Sequence, residues 1–87
     1  MNKITVYGHK ACPDCPPMKE KLTKHGIEFT YVDIAEGIPQ LKAFLKYREN
    51  RPEFDRVKKA GAVGLPCIVV NDGEKVLFQD LSLDELR

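Results

Sequence analysis

Strand-forming and helix-forming segments alternate along the chain, and this order restricts the fold more than any other feature of the sequence. Runs of β-branched and aromatic residues with alternating polarity predict strands, whereas apolar residues spaced three and four apart predict helices. A strand, a helix and a second strand in succession imply a parallel pair of strands joined by a right-handed crossover. The sequence predicts strands over 3–7 and 27–34, helices over 16–26 and 39–61 with a break at Pro52, strands over 62–70 and 75–79, and a short last helix from Ser82.

Local signals support these elements and their order. The first helix has Met18, Leu22 and His25 at the spacing of one face, and Gly26 suits its end. The segment Asn71–Gly73 is typical of a hairpin turn, which makes the last two strands antiparallel. The order β-α-β-α-β-β-α therefore predicts an α/β fold with a central four-stranded mixed sheet flanked by helices.

The size and charge of the chain argue against several classes of function. Its 87 residues suffice for one domain, residues 1–87, and a net charge of +1 without a basic run disfavours a nucleic-acid-binding protein. No apolar run approaches the roughly 18 residues that a membrane span needs. The N-terminal stretch MNKITVYGHK lacks the apolar core of a secretory signal. We therefore expect a cytoplasmic monomer without nucleic-acid or membrane partners.

Cys12 and Cys15 stand where the first strand gives way to the first helix. In a reducing compartment, closely spaced cysteines are more often catalytic or metal-binding than structural. With Cys12 before the helix and Cys15 in its first turn, the two sulfurs can close a small disulfide ring with little movement of the backbone. The unpaired N–H groups and the dipole of a helix start favour a thiolate, which is the nucleophilic form of cysteine.

Two short segments together carry a resemblance to a known family. Cys-Pro-x-Cys follows soon after an N-terminal strand, in VYGHKACPDC, and Gly64-Leu65-Pro66 leads into the apolar strand CIVV. Both segments resemble the glutaredoxins of the thioredoxin-fold superfamily, and the likeness covers nearly the whole chain. It implies a thioredoxin fold, a cis peptide bond before Pro66 and reversible exchange between a dithiol and a disulfide.

The reaction that this resemblance implies gives the two cysteines different roles. Cys12 attacks a disulfide of a protein or small molecule and forms a mixed disulfide. Cys15 then displaces the reduced substrate and leaves a Cys12–Cys15 disulfide. No tightly bound cofactor is expected, and the electron donor is either glutathione or a flavoprotein reductase.

Three residues beside the cysteines are expected to tune this couple. Pro13 and Asp14 lie inside the motif, where glutaredoxins commonly have tyrosine at the position of Asp14. A carboxylate there competes with the thiolate for the same positive field, so we expect a more reducing couple. Glutaredoxins often carry a basic residue three positions before the first cysteine. This chain has His9 there, so either Lys10 takes the role or the role is lost.

The resemblance also implies where a substrate binds. Next to Pro66, the N–H and C=O of Leu65 would pair with the backbone of the substrate. Glutaredoxins bind the γ-glutamyl end of glutathione with a Gly-Gly pair after the fourth strand, and this chain lacks that pair. Ser82 and Asp84 are the expected contacts for an amine in its place.

Cys67 follows Pro66 and leaves two interpretations open. A strand alternates faces, so this residue is expected to point into the core as an inert buried thiol. Alternatively, it is a third thiol near the pair, which would complete a thiolate site for zinc, copper or an iron–sulfur cluster with Cys12, Cys15 and His9. The metal content and spectra of the purified protein distinguish these two interpretations.

Overall fold

A mixed sheet of four strands organises the structure, a computed structural model that describes residues 3–86. The strands are β1 (Ile4–Gly8), β2 (Thr30–Asp33), β3 (Cys67–Val70) and β4 (Lys75–Leu77). The helices are α1 (Cys15–Lys24), α2 (Ile38–Asn50) and α3 (Asp55–Lys59). None of the helices in this part of the chain is long and apolar enough to cross a membrane.

The strand order β2-β1-β3-β4 confirms the predicted α/β fold and its mixed sheet. Strand β1 runs parallel to β2, as the first crossover predicts, and antiparallel to β3, with Tyr7 opposite Cys67. Strands β3 and β4 are antiparallel. The two central strands, β1 and β3, therefore bring the loop after Gly8 close to the segment before Cys67.

The hairpin between β3 and β4 lies where the sequence predicts it. Asn71 and Asp72 adopt the left-handed conformation, with φ of 50° and 58°, which polar turn residues tolerate better than branched ones. Strand β4 ends at Leu77, earlier than predicted. The reason is a turn in which the N–H of Leu81 donates to the carbonyl oxygen of Phe78 at 3.0 Å.

The connection from α1 to β2 is shaped by the way the helix ends. Gly26 has φ of 70°, and its N–H donates to the carbonyl oxygen of Thr23 at 3.1 Å. The N–H of Ile27 donates to the carbonyl oxygen of Leu22 at 2.9 Å, which completes a Schellman cap. Because this cap occupies the Ile27 N–H, β2 begins at Thr30 and not at residue 27.

The prediction that His25 shares the apolar face of α1 is wrong. The helix ends at Lys24, and His25 is its C-cap residue, with φ of −96° and ψ of 13°, outside the helical register. Its ring is exposed, and Nδ1 donates to the carbonyl oxygen of Lys21 at 2.9 Å. Met18 and Leu22 are buried, as their spacing predicts.

The helical break predicted at Pro52 is confirmed. Helix α2 ends at Asn50, and a 3₁₀ turn over Pro52–Phe54 leads into α3. The last element is also a 3₁₀ turn, over Leu83–Leu86, in place of the predicted helix. There the N–H of Glu85 donates to the carbonyl oxygen of Ser82 at 3.0 Å, three residues back.

Strand β3 begins at Cys67 and not at residue 62, because the intervening segment is held by a side chain. The Arg48 guanidinium donates to the carbonyl oxygens of Ala62 and Val63, each at 3.0 Å. These two carbonyls are therefore satisfied by α2 and not by a neighbouring strand.

Apolar side chains pack on both faces of the sheet. One face is covered by α1, and its buried residues are Ile4, Val6, Met18, Leu22, Ile68, Val70, Leu81 and Leu86. The other face is covered by α2 and the turn after it, and its buried residues are Tyr7, Phe44, Phe54, Cys67, Val69, Val76 and Phe78. Phe54 is the centre of this second layer, because its ring packs edge-on against Phe44 at 5.9 Å and against Phe78 at 5.0 Å between centroids.

Replacing Phe54 by alanine is expected to lower the free energy of unfolding by about 3–5 kcal/mol, because it leaves a cavity between two rings. Urea unfolding followed by circular dichroism measures the change. Ile38 is the matched control, since it is 64% exposed and its replacement by alanine removes little buried surface. A loss of stability in Phe54→Ala no larger than in Ile38→Ala would contradict the assignment of Phe54 to the core.

Candidate active site

The two cysteines of the motif lie in very different surroundings. Cys12 is half-buried in the loop between β1 and α1, whereas Cys15, the first residue of α1, is only 1% exposed. Both are free thiols. The sequence prediction that Cys15 lies in the first helical turn is confirmed. An approaching molecule therefore meets the sulfur of Cys12 first.

His9 holds the loop that carries Cys12. Its carbonyl oxygen accepts a hydrogen bond from the N–H of Cys12 at 2.9 Å, and its ring Nδ1 accepts one from the N–H of Ala11 at 2.9 Å. Because Nδ1 accepts this hydrogen bond from the backbone, the imidazole stabilises the conformation of the loop.

The Asp14 carboxylate lies at the start of α1 without capping the helix. Asp14 occupies the N-cap position but makes no side-chain capping hydrogen bond, and Pro16 and Pro17 fill the first turn after Cys15. Proline suits this position because its missing N–H would have no partner inside the helix. The Asp14 carboxylate is thus exposed beside the dithiol and adds negative charge there.

Burial raises the pKa of Cys15 to about 11. A hydrogen bond with Cys12 and the negative charges of Cys12 and Asp14 act in the same direction, while a hydrogen bond with the His9 backbone opposes them. At neutral pH, Cys15 therefore remains a thiol in the reduced protein. The pair combines an accessible sulfur with a buried, protonated one.

A glycine makes room for the buried sulfur. At Gly8, the last residue of β1, a Cβ atom would stand 2.9 Å from the Sγ of Cys15 and 2.8 Å from the hydroxyl oxygen of Tyr31. Both distances are shorter than any normal contact of a Cβ atom. The Tyr31 hydroxyl and the Cys15 sulfur therefore both lie close over Gly8, an arrangement of which the sequence pattern gives no sign.

Cys12 opens onto a groove between two walls. One wall is the Cys12–Asp14 segment and the other is the segment Ala62–Leu65, and together they enclose about 330 Å³. A second depression of about 370 Å³ shares Asp14 and Leu65 with the first and extends to Arg56 and Asp80. The two form a continuous surface from the accessible thiol to a pair of opposite charges.

The Arg56–Asp80 pair at the far end of the groove is a further feature that the sequence analysis missed. The guanidinium donates to both carboxylate oxygens, at 3.2 and 3.3 Å, and lies over the Phe78 ring at 5.3 Å from its centroid. Hydrogen bonds from Arg56 hold the pKa of Asp80 below its ordinary value. The spacing of these residues in the sequence gives no signal of the pair, because the fold alone brings them together.

The structure brings some of the predicted site residues together and leaves others apart. Cys12, Pro13, Asp14 and Leu65 line the same groove, and Leu65 is joined to the buried Pro66 by a cis peptide bond. Three others are exposed and lie outside the groove lining, namely Lys10, Ser82 and Asp84.

Cys67 lies on the wrong face of the sheet to join the dithiol. Its partner across the β1–β3 pair is Tyr7, and it packs in the α2-side layer, whereas Cys15 lies over the next residue, Gly8. Successive strand residues point to opposite faces. Cys67 is fully buried, and burial raises its pKa to about 12.

The inert-thiol interpretation of Cys67 therefore fits the structure, and the alternative metal site with Cys12, Cys15 and His9 is not formed. Across residues 3–86, no group of three or more histidine, cysteine, aspartate or glutamate side chains has an arrangement that could hold a metal ion.

Comparisons with known proteins agree with this geometry. The family model described as Glutaredoxin matches residues 4–76. A Haemophilus influenzae protein described as uncharacterized is 34% identical over 82 residues, which cover 94% of this chain and 93% of the relative. The Gene 56 protein of Mycobacterium phage L5 is 32% identical over 85 residues, which cover 95% of this chain and 70% of the relative.

A solved structure gives the same result for the fold. The glutaredoxin from Methanosarcina mazei Go1 superposes with a TM-score of 0.63 at 30% identity, over 86% of this chain. The chain spans 65% of the length of that glutaredoxin.

Replacing Gly8 by alanine is expected to lower the free energy of unfolding of the reduced protein by about 1–3 kcal/mol, because the new methyl group overlaps Cys15 and Tyr31. Urea unfolding measures the loss. Gly37→Ser is the control, since Gly37 has an extended backbone, and an added Cβ there meets only the flexible end of Gln40. Equal stability of Gly8→Ala and the unsubstituted protein would show that the space over Gly8 is not filled as described.

Proposed function

This chain belongs to the glutaredoxin family, and on that basis we propose that it is a thiol–disulfide oxidoreductase that works through Cys12 and Cys15. The observation that supports this most is the contrast between the two thiols. Cys12 lines an open groove, while Cys15 is buried. Such a pair can react with an external disulfide one sulfur at a time.

The first step uses the accessible sulfur. The Cys12 thiolate attacks one sulfur of a substrate disulfide, so a Cys12–substrate disulfide forms and the substrate disulfide bond breaks. The departing sulfur carries away the electron pair and then takes a proton from solvent. Cys15 is a poor candidate for this step, because it is buried and a pKa of about 11 keeps it protonated at neutral pH.

The second step uses the buried sulfur. Cys15 loses its proton and attacks the Sγ of Cys12, which closes the Cys12–Cys15 disulfide and releases the reduced substrate thiol. The tight turn between the two residues supports this assignment, since the N–H of Cys15 donates to the carbonyl oxygen of Cys12 at 3.4 Å and holds the two residues next to each other. Reduction of the new disulfide returns the protein to its starting state.

The groove suits both protein and small-molecule disulfides as substrates. Its second wall is the exposed backbone of the segment Ala62–Leu65, and Val63 presents an apolar side chain that is 53% exposed. An extended peptide can lie along such a wall with its cysteine at Cys12. Arg48 supports the wall through its two hydrogen bonds to the carbonyls of Ala62 and Val63.

Glutathione is our proposed electron donor. The groove from Cys12 ends at Arg56 and Asp80, which offer one positive and one negative charge. The amino-acid end of glutathione is a zwitterion, which presents a carboxylate and an ammonium group to such a pair. A flavoprotein reductase remains the alternative donor, and it would contact the same face as a protein.

The proposed function is tested by counting thiols across glutathione redox buffers, with free thiols trapped by alkylation and counted by mass. We expect two thiols to disappear together at one potential, while the third thiol, that of the buried Cys67, stays reduced. Cys12→Ser and Cys15→Ser should each abolish the paired loss, and Cys67→Ser is the matched control that should retain it.

The same experiment distinguishes the alternatives. A glutathione adduct on Cys12 in the Cys15→Ser variant would support glutathione as donor. Turnover with a thioredoxin-reductase-type flavoprotein but no such adduct would favour the reductase. If no pair of thiols is lost, or if a bound metal protects all three cysteines, the oxidoreductase proposal is wrong.

Replacing Asp14 by asparagine is expected to make the couple less reducing, by about 10–30 mV, since 30 mV corresponds to about 1.4 kcal/mol for two electrons. The physical reason is that the Asp14 carboxylate adds negative charge beside the dithiol and so disfavours the thiolate form of the reduced protein. The potential is read from the same redox buffers. Asp55→Asn removes an equal charge from α3, outside the Cys12 groove, and should leave the potential unchanged. A more reducing Asp14→Asn couple would contradict this role.

A further inference from the structure

Tyr31 lies in β2, on the same side of the sheet as the buried sulfur of Cys15. It stands opposite Val6 in the β1–β2 pair, so its side chain lies on the α1 side of the sheet. Its hydroxyl oxygen and the Sγ of Cys15 are each within 3 Å of the same point over Gly8. A hydroxyl group therefore lies on the same side of Gly8 as the sulfur that performs the second step of the proposed reaction, and less than 6 Å from it.

Lys19 places a positive charge on the ring of the same tyrosine. It follows Cys15 by four residues, which puts both on one face of α1. Its ammonium nitrogen lies 4.0 Å from the centroid of the Tyr31 ring. A cation on the ring face withdraws electron density from the ring and makes its hydroxyl a better hydrogen-bond donor.

Tyr31 remains protonated at neutral pH. Burial raises its pKa above the ordinary value of 10, and the negative charges of Cys15, Asp33 and Cys12 raise it further. A phenol in this state offers its proton to an anion and does not compete as a base.

We propose that the Tyr31 hydroxyl, supported by the Lys19 ammonium, is a positioning residue that donates a hydrogen bond to the Cys15 thiolate as that thiolate forms. The proposal deepens the oxidoreductase function proposed above and rests on it. It concerns the second step only, because the Tyr31 hydroxyl lies over Gly8 with the buried sulfur and outside the groove lining at Cys12.

The step balances without an added oxidant or reductant. Cys15 gives its proton to solvent, its sulfur forms a bond to the Sγ of Cys12, and the bond from Cys12 to the substrate sulfur breaks. The substrate sulfur leaves with the electron pair and takes a proton from solvent. In this step Cys15 is oxidised and the leaving substrate sulfur is reduced, Cys12 stays in a disulfide, and Tyr31 keeps its proton.

The need for such a donor follows from the burial of Cys15. A negative charge must appear on a sulfur that is 1% exposed, where water cannot solvate it freely. A hydrogen bond from a neutral donor to this charge lowers the cost of forming it. The absence of a side chain at Gly8 matters here, since any Cβ at that residue would overlap both groups.

Tyr31→Phe tests the proposal, because it removes only the hydroxyl. Reduced protein is mixed with excess dithionitrobenzoate, an aromatic disulfide that releases one coloured thiolate when Cys12 attacks and a second when Cys15 closes the ring. We expect the second phase to slow about tenfold, the effect of losing one hydrogen bond to a charged group, and the first phase to stay within about twofold.

Lys19 and Tyr47 provide matched variants. Lys19→Met should slow the second phase by about twofold to threefold, and Lys19→Arg should restore it, since arginine also stacks a cation on an aromatic ring.

Tyr47→Phe removes a hydroxyl from the α2 side of the sheet and should leave both phases unchanged. The slowed phase of Tyr31→Phe should also recover as pH rises, because the thiolate then forms without help.

Two outcomes would overturn the inference. One is a second phase of unaltered rate in Tyr31→Phe. The other is equal slowing of both phases, which would report a general disturbance of the loop. The oxidoreductase proposal is tested separately by the unsubstituted protein, which should release the coloured thiolate in two phases. The absence of a second phase there would contradict that proposal and not the role of Tyr31.

Discussion

The antiparallel pairing of β1 with β3 sets the geometry on which the rest of the site depends. Its register places Tyr7 opposite Cys67, so the loop that leaves β1 lies beside the segment that enters β3. Cys12 and Leu65, far apart in the sequence, thereby become opposite walls of one groove. A shift of one residue would turn buried apolar side chains of both strands to the wrong faces. Core packing therefore fixes the position of the groove.

The chemistry proposed for the dithiol depends on unequal burial of its two sulfurs. Cys12 lies on a loop that His9 holds through its backbone and ring, and its sulfur meets the groove. Cys15 is part of the helix and rests against the sheet at Gly8. One thiol therefore faces the groove while the other is buried and protonated at neutral pH, which is the arrangement that the proposed two-step exchange requires.

The site is built partly from core residues and not only from loops. Tyr31 packs against the α1-side layer, and its hydroxyl and the Cys15 sulfur both lie close over Gly8. Pro66 is buried directly before the fully buried Cys67. A change in these positions affects stability and reactivity together. Charged groups of the groove, such as Asp14 and Asp80, are exposed and so can vary with less effect on the fold.

The order of elements, the mixed sheet, the break at Pro52 and the two thiols at a helix start could all be predicted before the fold was known, because each follows from local periodicity, turn residues or short spacing. Element ends were less well predicted, as at His25, where the cap geometry decides the register. The fold was needed to show that Cys67 faces away from the dithiol and that Arg56 pairs with Asp80. It was also needed to show that the Tyr31 hydroxyl and the Cys15 sulfur both lie close over Gly8. These contacts join residues distant in the chain, and their existence depends on strand register and packing, which no local pattern encodes.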